Sequence, residues 1–352
     1  MLVRDFSFEL PDALIAQEPA AARGSSRLLR LGRDSGDIAH DLVVNLPALL
    51  RPGDLIVVND TRVFPARLLG HRDPSGGAVE CLLVHRLDSE SLANERWTTL
   101  VHPGQKLKPG ARMRFDGPVA LYGEVLDRQF SGRRTVRLWT DDGSDVQGAI
   151  EQNGHMPLPP YIHRPDRPSD RARYQTVYAQ ASGSIAAPTA GLHFTPEILA
   201  ALTARGVERT EVTLHVGYGT FQPVRVDRVE DHQIEGERYE VSADAARTIN
   251  RALDENRRVI AIGTTTTRTL ESVGGAHNGR IAAGSGHSDL FIYPGFAFRI
   301  VSGLLTNFHL PQSSLLMLVS ALAGRERTLA AYREAIAQGY RFYSYGDAML
   351  IA

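Results

Sequence analysis

The sequence predicts an α/β fold whose main domain is a mixed, largely parallel sheet or distorted barrel, with an inserted antiparallel β-barrel domain. Two observations predict it. Strands alternate with helices before residue 63 and after residue 149, as in largely parallel sheets. Between these limits short apolar strands follow one another with no convincing helix. We therefore expect a discontinuous main domain, residues 1–62 and 150–352, and an inserted domain, residues 63–149.

Strand and helix signals lie on both sides of the insertion. Apolar runs at 27–31 and 55–58 end at turn residues, and 243–254 has the period of an amphipathic helix. A helix begins after Thr195, an N-cap residue followed by Pro196 and an acid. Further strands are expected at 211–216, 258–262 and 290–295, and further helices at 145–153, 268–273, 313–323 and 327–337.

The inserted segment has the sequence pattern of a small antiparallel barrel or sandwich. Turns rich in Gly, Pro and Asp separate its apolar runs. An insertion is tolerated where the two chain ends lie close together. The strands expected in this domain are 79–84, 97–101, 112–115, 119–125 and 134–139.

Composition narrows the class of function. The chain has 352 residues, 43% of them hydrophobic, and a net charge of −1. This charge excludes a general polyanion-binding protein but not a local basic face. Lys106 and Lys108 are the only lysines, so nearly all the positive charge is arginine. Arginine suits bidentate phosphate contacts, although a preference for arginine codons explains the bias equally well.

Several site types and locations are disfavoured. Cys81 is the only cysteine and lies in an apolar run, so we expect a core residue and no thiolate site. The histidines do not form pairs at helical ligand spacing, so we expect no metal. With no apolar signal region and no run of about 18 apolar residues, we expect a cytoplasmic protein without membrane association. No coiled coil is visible, so a monomer is expected.

Polar side chains gather where predicted strands end. Asn59, Asp60, Thr61 and Arg62 directly follow the strand at 55–58. In open α/β sheets the carboxyl ends of parallel strands form the ligand-binding edge. We favour a binding role over a simple Asx-turn, the alternative. Other strand ends carry His215, Gly217, Thr220, Phe221, Thr264, Thr265, Arg268, Asn307 and His309.

The segment 186–194 joins a loop of small residues to the start of a helix. Small residues let a ligand approach the backbone, and a helix N-terminus offers N–H groups. His193 stands beside those donors. Composition alone leaves two alternatives, a tight connector or the floor of a binding site. The candidates in this segment are Thr189, Gly191, His193 and Phe194.

Motifs for common chemistries are weak or missing. The Gly-Tyr-Gly at 217–219 lacks the third glycine of a dinucleotide loop, and the sequence has neither a P-loop nor a Gly-x-Ser-x-Gly elbow. His232, Glu235 and Glu237 lie close together and offer acid/base groups, with a solvated acidic turn as the alternative. These residues predict a two-domain α/β protein with a polar pocket, but they do not identify its substrate.

Short motifs along the whole chain are each weak but specific in their combined order. The strongest are Arg-Tyr-Gln-Thr-Val-Tyr-Ala at 173–179 and the segment 186–194. The others include Asn-Asp-Thr-Arg at 59–62, Gly-His-Met-Pro-Leu-Pro-Pro-Tyr at 154–161, Thr-Leu-His-Val-Gly at 213–217, Gly-Thr-Thr at 263–265, Thr-Asn-Phe-His-Leu-Pro at 306–311 and Tyr-Gly-Asp-Ala-Met-Leu at 345–350. In this order they resemble the S-adenosylmethionine:tRNA ribosyltransferase-isomerase family of queuosine biosynthesis.

The resemblance implies a transferase-isomerase that consumes S-adenosylmethionine as a substrate and needs no cofactor. The ribosyl moiety would move onto 7-aminomethyl-7-deazaguanine at the tRNA wobble position, giving epoxyqueuosine and releasing adenine and methionine. The sulfonium acidifies the adjacent C–H and makes the sulfur a good leaving group. The protein then has to hold two substrates, supply a base and protonate the departing adenine.

The resemblance also implies roles for particular residues. The catalytic candidates are His193, His215, His232 and Glu237, of which His193 or His215 would be the general base or acid. Those expected to position S-adenosylmethionine are Asp60, Arg62, Thr264 and Arg268. Either Arg268 or the helix end at Thr264 would hold the methionine carboxylate. The remaining substrate-binding candidates are Asn59, Thr61, Tyr174, Gln175, Thr189, Gly191, Phe194, Gly217, Thr220, Phe221, Thr265, Asn307 and His309.

One motif departs from the family. The family usually has His-x-Met-His-x-Glu where this chain has His-Gln-Ile-Glu-Gly-Glu at 232–237. The first His and the last Glu remain, and Glu235 replaces the second His. A mechanism that requires both histidines is therefore in doubt here, although a carboxylate can still accept a proton.

The implied RNA partner is a tRNA anticodon loop. We expect its phosphates on an exposed, mobile arginine-rich loop at 164–173 and an unstacked base on Tyr174 or Phe194. The rival functions are a non-catalytic RNA-binding module, disfavoured by the polar strand ends, and a methyltransferase, disfavoured by the inserted domain and the missing Gly-rich first loop. The arginines of the expected surface are Arg164, Arg167, Arg171 and Arg173.

Overall fold

The structure is a computed structural model that describes residues 1–221 and 223–352, with the backbone only at Ser131, Thr220 and Phe221. Its strands are β1 (Arg27–Leu31), β2 (Ile38–Leu42), β3 (Leu55–Asn59), β4 (Thr61–Val63), β5 (Arg67–Asp73), β6 (Ala78–Ser91), β7 (Asn94–His102), β8 (Arg112–Phe115), β9 (Leu121–Arg128), β10 (Arg133–Thr140), β11 (Ala181–Ser184), β12 (Glu208–Leu214), β13 (Glu237–Val241), β14 (Val259–Ile262), β15 (Gly284–Ser288), β16 (Gly303–Asn307) and β17 (Ala348–Ile351). Its helices are α1 (Leu46–Leu49), α2 (Val146–Asn153), α3 (Asp170–Arg173), α4 (Pro196–Ala204), α5 (Ala243–Asp254), α6 (Thr264–Ala276), α7 (Ser314–Ala323) and α8 (Arg325–Ala337).

A large mixed sheet forms the main body, in the order β15-β13-β12-β3-β14-β16-β17-β1-β2. Its centre is parallel: β12, β3, β14 and β16 run side by side in one direction. Antiparallel pairs flank this centre, at β12 with β13 and at β16 with β17. The predicted mixed α/β class is therefore confirmed, and the parallel strands are those whose carboxyl ends carry the candidate residues.

The central strand β3 is buried on both faces. Leu55 and Val57 pack in the core cluster that includes α5 to α8, whereas Ile56 and Val58 pack on the other face with α1 and α4. Successive side chains of a strand point to opposite faces, and parallel strands covered by helices on both faces therefore consist of continuous apolar residues. This explains why the run at 55–58 was readable as a strand from the sequence.

The inserted antiparallel barrel is also confirmed. Strands β10-β7-β6-β5-β8-β9 close on themselves, and alternate side chains fill the interior, with Cys81 among them. All five predicted strands are present, and β5 is an additional one. The predicted division into residues 1–62 with 150–352 and 63–149 stays a prediction. Helix α2 crosses its second boundary, because Val146, Ala149 and Ile150 all pack in the barrel core.

One predicted strand is wrong. Residues 290–295, all of which the structure describes, form no strand, although Ile292 is buried in the main core. The preceding residues, Gly284–Ser288, form β15 instead by pairing with β13. The apolar run reflects side-chain burial, whereas the backbone pairing is supplied by a segment rich in Gly and Ser that carries little strand propensity.

Candidate active site

The carboxyl ends of the parallel strands meet at one edge of the sheet, as predicted. Asn59, at the end of β3, is fully buried and joins this strand to the end of β12. Its amide Nδ2 donates to the Leu214 carbonyl at 2.9 Å, and its Oδ1 accepts from the Leu214 N–H at 3.0 Å. Asn59 therefore holds the ends of β3 and β12 together, which is a structural role at this edge of the sheet.

A first cavity, here called the apolar cavity, has a volume of about 240 Å³ and lies where β14 and β16 end. Small residues of 186–190 form one wall, and Thr264 and Thr265 in the first turn of α6 form another. Gly263 precedes the helix with a φ of +93°, a conformation that favours glycine. The first N–H groups of a helix have no partner within it, so this wall offers donors to an anion.

Two tyrosines of the apolar cavity are in close ring contact, since the ring centroids of Tyr161 and Tyr343 are 3.9 Å apart and the ring planes are tilted by 34°. Tyr343 has a φ of +73°, which is rare for an aromatic residue and typical of functional positions. Its carbonyl accepts from Asn307 Nδ2 at 3.0 Å, and Tyr161 hydrogen-bonds Ser344. Burial raises the pKa of both phenols, so both hydroxyls stay protonated at neutral pH.

His309 also lines this cavity and is neutral. Burial lowers its pKa to about 3. Its Nε2 lies 2.9 Å from Thr306 Oγ1, and its backbone N–H donates to Tyr332 Oη at 3.0 Å. A neutral ring held at Nε2, on a backbone held by Tyr332, is a hydrogen-bonding wall and not a general acid at neutral pH.

A second cavity, here called the polar cavity, has a volume of about 640 Å³ and lies between the barrel and the main sheet. Trp97 of β7 and Arg133 of β10 line its barrel side. Val216 and Leu315 line both cavities, so the two adjoin. The main-domain residues of its wall include Gly217, His215, His232, Glu235, Glu237 and Arg268.

His215 is held in place on two sides. Its Nδ1 lies 2.9 Å from Thr61 Oγ1, which is 2.8 Å from Ser184 Oγ. Its ring lies against Gly183, where a Cβ would be 2.9 Å from the ring and where φ is +148°. Burial lowers the pKa of His215, and Arg238 lowers it further, so the ring is neutral at pH 7 and able to accept a proton.

Glu237 and Arg268 form a buried ion pair in the wall of the polar cavity. Their side chains are 6% and 4% exposed, and Arg268 Nη2 donates to Glu237 Oε2 at 2.5 Å. Glu237 Oε1 accepts the Gly217 N–H at 2.9 Å. The pair therefore fixes the start of β13 against α6 and compensates most of the charge of Arg268.

Glu235, the position at which this chain differs from the family motif, also pairs with an arginine. Arg133 Nη2 donates to Glu235 Oε2 at 2.5 Å, which links the barrel to the main domain across the polar cavity. His232 stands nearby with its ring edge-on to Phe291, at a centroid distance of 5.0 Å. Burial lowers the pKa of His232, so this ring too is neutral at pH 7.

Comparisons with known proteins identify the family of the chain. The family model described as "Queuosine biosynthesis protein" matches residues 3–351. Relatives from Desulfitobacterium hafniense and Heliobacterium modesticaldum, both named S-adenosylmethionine:tRNA ribosyltransferase-isomerase, are 52% and 51% identical over the full length of both chains. This chain belongs to the queuosine biosynthesis family of ribosyltransferase-isomerases. A crystal structure of an S-adenosylmethionine tRNA ribosyltransferase from Thermotoga maritima is 36% identical and covers 99% of this chain and 100% of its own, with a TM-score of 0.55.

Membership of the ribosyltransferase-isomerase family confirms the family predicted from the motifs. The structure brings many of the predicted residues to the two cavities. The polar cavity receives His215, His232, Glu237, Gly217 and Arg268. The apolar cavity receives Tyr174, Thr189, Thr264, Thr265, Asn307 and His309.

His193 lies apart from the other catalytic candidates. It lines a separate recess of about 20 Å³ beside Arg23 and Tyr345. Its Nε2 lies 3.2 Å from Asn307 Nδ2, and burial lowers its pKa to about 4, so the ring is neutral. His193 therefore supports Asn307 from behind the apolar cavity. Its catalytic role stays a prediction, and this placement favours His215 instead.

Two of the residues predicted to position S-adenosylmethionine lie outside the walls of both cavities. Asp60 Oδ1 accepts from Thr213 Oγ1 at 2.6 Å, beside the end of β12. The side chain of Arg62 is 54% exposed and lies 3.9 Å from Glu151. Their binding roles stay predictions. The predicted side chains of Thr220 and Phe221 fall outside the described part of the structure.

The predicted stacking surface is wrong for Phe194. The side chains of Tyr174 and Phe194 are fully buried, and Phe194 packs edge-on against Tyr178. A base could stack on Phe194 only if this ring left the core, whereas Tyr174 borders the apolar cavity and its stacking role stays a prediction. Gln175 pairs through both amide atoms with the Val63 backbone, and a Cβ at Gly191 would lie 2.2 Å from Tyr178 Oη. Both residues hold the chain path, and their binding roles stay predictions.

The expected exposed, mobile loop at 164–173 is also wrong in part. The side chain of Arg164 is only 11% exposed and is fixed to the buried carboxylate of Asp170. Arg167 pairs with Glu18, Arg171 with Glu151, and Arg173 donates to the Ala20 carbonyl. Arg164 is therefore engaged within the chain, whereas the phosphate contacts of Arg167, Arg171 and Arg173 stay predictions.

Sequence reasoning missed the barrel wall and the pair of tyrosines. Trp97 is expected only as a strand residue and Arg133 only precedes an expected strand, because nothing local indicates which side of the barrel faces a cavity. The signal for Tyr161 was present, since this residue ends the motif at 154–161. Tyr343 adjoins the final motif but lies outside it, and no pattern in the sequence distinguishes it.

Two negative findings apply to the part of the chain that the structure describes. Within it, no cluster of three or more His, Cys, Asp or Glu side chains is arranged to hold a metal ion. Within the same residues, no helix is long and apolar enough to span a membrane.

Proposed function

We propose that this chain moves the ribosyl moiety of S-adenosylmethionine onto 7-aminomethyl-7-deazaguanine at the wobble position of tRNA. The products are epoxyqueuosine, adenine and methionine. The observation that carries the proposal is the pair of adjoining cavities at the carboxyl edge of the sheet, one apolar and one polar. A reaction between a small molecule and an RNA base needs two such sites in contact. The names of the full-length relatives support it.

The apolar cavity suits S-adenosylmethionine. The start of α6 at Thr264 and Thr265 offers N–H groups to the methionine carboxylate. The contacting rings of Tyr161 and Tyr343 offer aromatic faces to the sulfonium cation. Of the two carboxylate sites expected from the sequence, the helix end is the better one, because Glu237 already compensates the charge of Arg268.

The polar cavity suits the reacting tRNA base and the proton transfers. His215 is neutral and fixed by Thr61, so it fits the base that removes the acidic C–H next to the sulfonium. Once His215 has taken up this proton, its imidazolium fits the acid that protonates the departing adenine, and His232 lies in the same cavity as a second ring able to accept a proton. Glu237 is engaged by Arg268 and by the Gly217 N–H, which fits a positioning role.

The proposal includes the finer features implied by the family resemblance. S-adenosylmethionine is the only small molecule that the reaction consumes, and no further cofactor takes part. The tRNA is recognised at its anticodon loop, which contains the wobble base. The chain works as a cytoplasmic monomer, for which light scattering of the purified protein is the direct measurement.

The decisive test incubates the protein with S-adenosylmethionine and a tRNA that carries 7-aminomethyl-7-deazaguanine. Release of adenine and methionine supports the proposal. S-adenosylhomocysteine would indicate a methyltransferase, and tRNA binding without turnover would indicate a binding module. Substitution of His215→Gln should lower kcat by about 10²- to 10⁴-fold, the usual contribution of a general base.

A matched control separates the base from a general histidine effect. His40 lies on β2 next to Tyr340, away from both cavities, and His40→Gln should leave kcat unchanged. If His215→Ala and His193→Ala both kept near-normal turnover with intact circular dichroism spectra, the acid/base assignment would be wrong.

A further inference from the structure

The ion pair between Arg133 and Glu235 lines the polar cavity and is partly exposed to solvent. The two side chains are 22% and 43% exposed. Arg133 begins β10 of the barrel, and Glu235 precedes β13 of the main domain. A pair with this exposure contributes little to stability, because water and salt screen it. An anionic ligand can therefore replace the carboxylate at Arg133.

The polar cavity carries more positive than negative charge. Its described lining includes four arginines and two glutamates, a formal charge of 4 − 2 = +2, in a chain whose net charge is −1. Both glutamates are already paired with two of these arginines, and Arg86 pairs with the buried Glu95 of β7, which leaves a smaller positive excess. The charged lining residues are Arg86, Arg133, Arg238, Arg268, Glu235 and Glu237.

The position of Arg133 relative to the site fits a phosphate next to the reacting nucleotide. Arg133 and His215 line the same cavity from its barrel side and its sheet side. A base directed toward His215 leaves its sugar and phosphates toward the barrel. Guanidinium binds carboxylate and phosphate with the same planar pair of donors, so one anion can take the place of the other.

We propose that the barrel wall around Arg133 binds the phosphate backbone of the tRNA, and that Glu235 occupies Arg133 until an RNA phosphate replaces it. This inference rests on the proposed function, since it takes a tRNA as the substrate. It assigns the barrel a part in RNA binding next to the reacting nucleotide, because Arg133 lines the cavity that contains His215, whereas the arginines of the loop at 164–173 line neither the apolar nor the polar cavity.

The test measures binding of unmodified tRNA, without S-adenosylmethionine, by fluorescence anisotropy over a range of salt concentrations. Arg133→Gln should weaken binding about tenfold and reduce the slope of log K against log salt by about one. Arg133→Lys keeps the charge and should keep the slope. Glu235→Gln should tighten binding by about threefold, since no carboxylate competes for the arginine.

The competition itself is tested by combining the two changes. In the double variant with Arg133→Gln, the substitution Glu235→Gln should no longer tighten binding, because the arginine for which they compete is absent. The control is Arg247→Gln on α5, where the arginine is 71% exposed and remote from the cavity, and its affinity and slope should match the wild type.

Two results would overturn the inference. One is that Arg133→Gln, folded as judged by thermal unfolding, binds tRNA with the affinity and slope of Arg247→Gln. The other is that Arg167→Gln, and not Arg133→Gln, reduces the slope. A wild-type protein that binds tRNA and releases adenine would then leave the proposed function standing. A wild type that does neither would refute the proposed function itself.

Discussion

The ion pair between Glu237 and Arg268 allows a prediction of stability from buried charge. Glu237→Gln removes the negative charge but keeps an oxygen that can accept the Gly217 N–H, now 2.9 Å from Glu237 Oε1. The substitution therefore isolates the charge from the hydrogen bond to the backbone. What it leaves behind is the guanidinium of Arg268, only 4% exposed and without its carboxylate.

The expected loss follows from that burial. Removing one partner of a buried ion pair costs about 3–5 kcal/mol, because the remaining charge is neither paired nor hydrated. Arg268 borders the polar cavity, from which water can solvate part of the guanidinium. We therefore expect the lower end, a decrease in the free energy of unfolding of about 3 kcal/mol.

Urea unfolding followed by circular dichroism measures this quantity, with an unchanged m-value as the sign that only stability has changed. The control is Glu240→Gln, the same substitution at an exposed position of the same strand, expected within about 0.5 kcal/mol of the wild type. A double variant with Arg268→Gln should lose less than the sum of the single losses. A loss below about 1 kcal/mol for Glu237→Gln would refute the reasoning.

The remaining predictions concern two buried histidines and one glycine. His193 and His309 have pKa values lowered to about 4 and about 3. Below pH 6.5 these histidines are therefore protonated in the unfolded chain but remain neutral in the folded chain. The free energy of unfolding should therefore fall by about 2 kcal/mol per histidine from pH 7 to pH 5. Urea unfolding of His193→Gln should show a shallower fall, and parallel curves would contradict this. Gly183→Ala should lower kcat about tenfold or more by displacing the His215 ring, 2.9 Å from the new Cβ. Gly275→Ala, with open space around its Cβ, should keep kcat, and equal turnover of the two variants would count against the placement of His215.

Local signals explain the parts of the fold that the sequence predicts well. The bounds of α5 agree with the prediction at 243–254, because Ser242 caps one end and the amphipathic period runs to the other. Helix α4 likewise begins after Thr195, whose side chain accepts the Ile198 N–H at 3.2 Å. The failures are non-local. Strand β15 forms from Gly and Ser residues only because β13 is there to pair with it, and no window of sequence contains that partner.

The same distinction applies to the site. Placing polar residues at the ends of parallel strands correctly brought His215 and Thr264 to one edge of the sheet. Other site predictions failed where the side chain is buried, because a sequence motif does not show whether its aromatic residue or arginine faces solvent or the core. Phe194 is fully buried, and Arg164 is bound to Asp170. Charge becomes available to a ligand only where the chain does not neutralise it, and that depends on partners distant in sequence.

The family motif usually has a histidine where this chain has Glu235, and this difference affects which groups of the motif can take part in proton transfer. A neutral imidazole at this position could not compensate Arg133, whereas the carboxylate does so across the polar cavity. Glu235 is therefore engaged electrostatically, and its position gives it no need to carry a proton. Of the four histidines in the described lining of this cavity, His215 and His232 have lowered pKa values and are neutral at pH 7. Because the proposed proton transfers use His215, they do not require a second histidine in the motif, and the substitution at Glu235 changes how the cavity receives an anion.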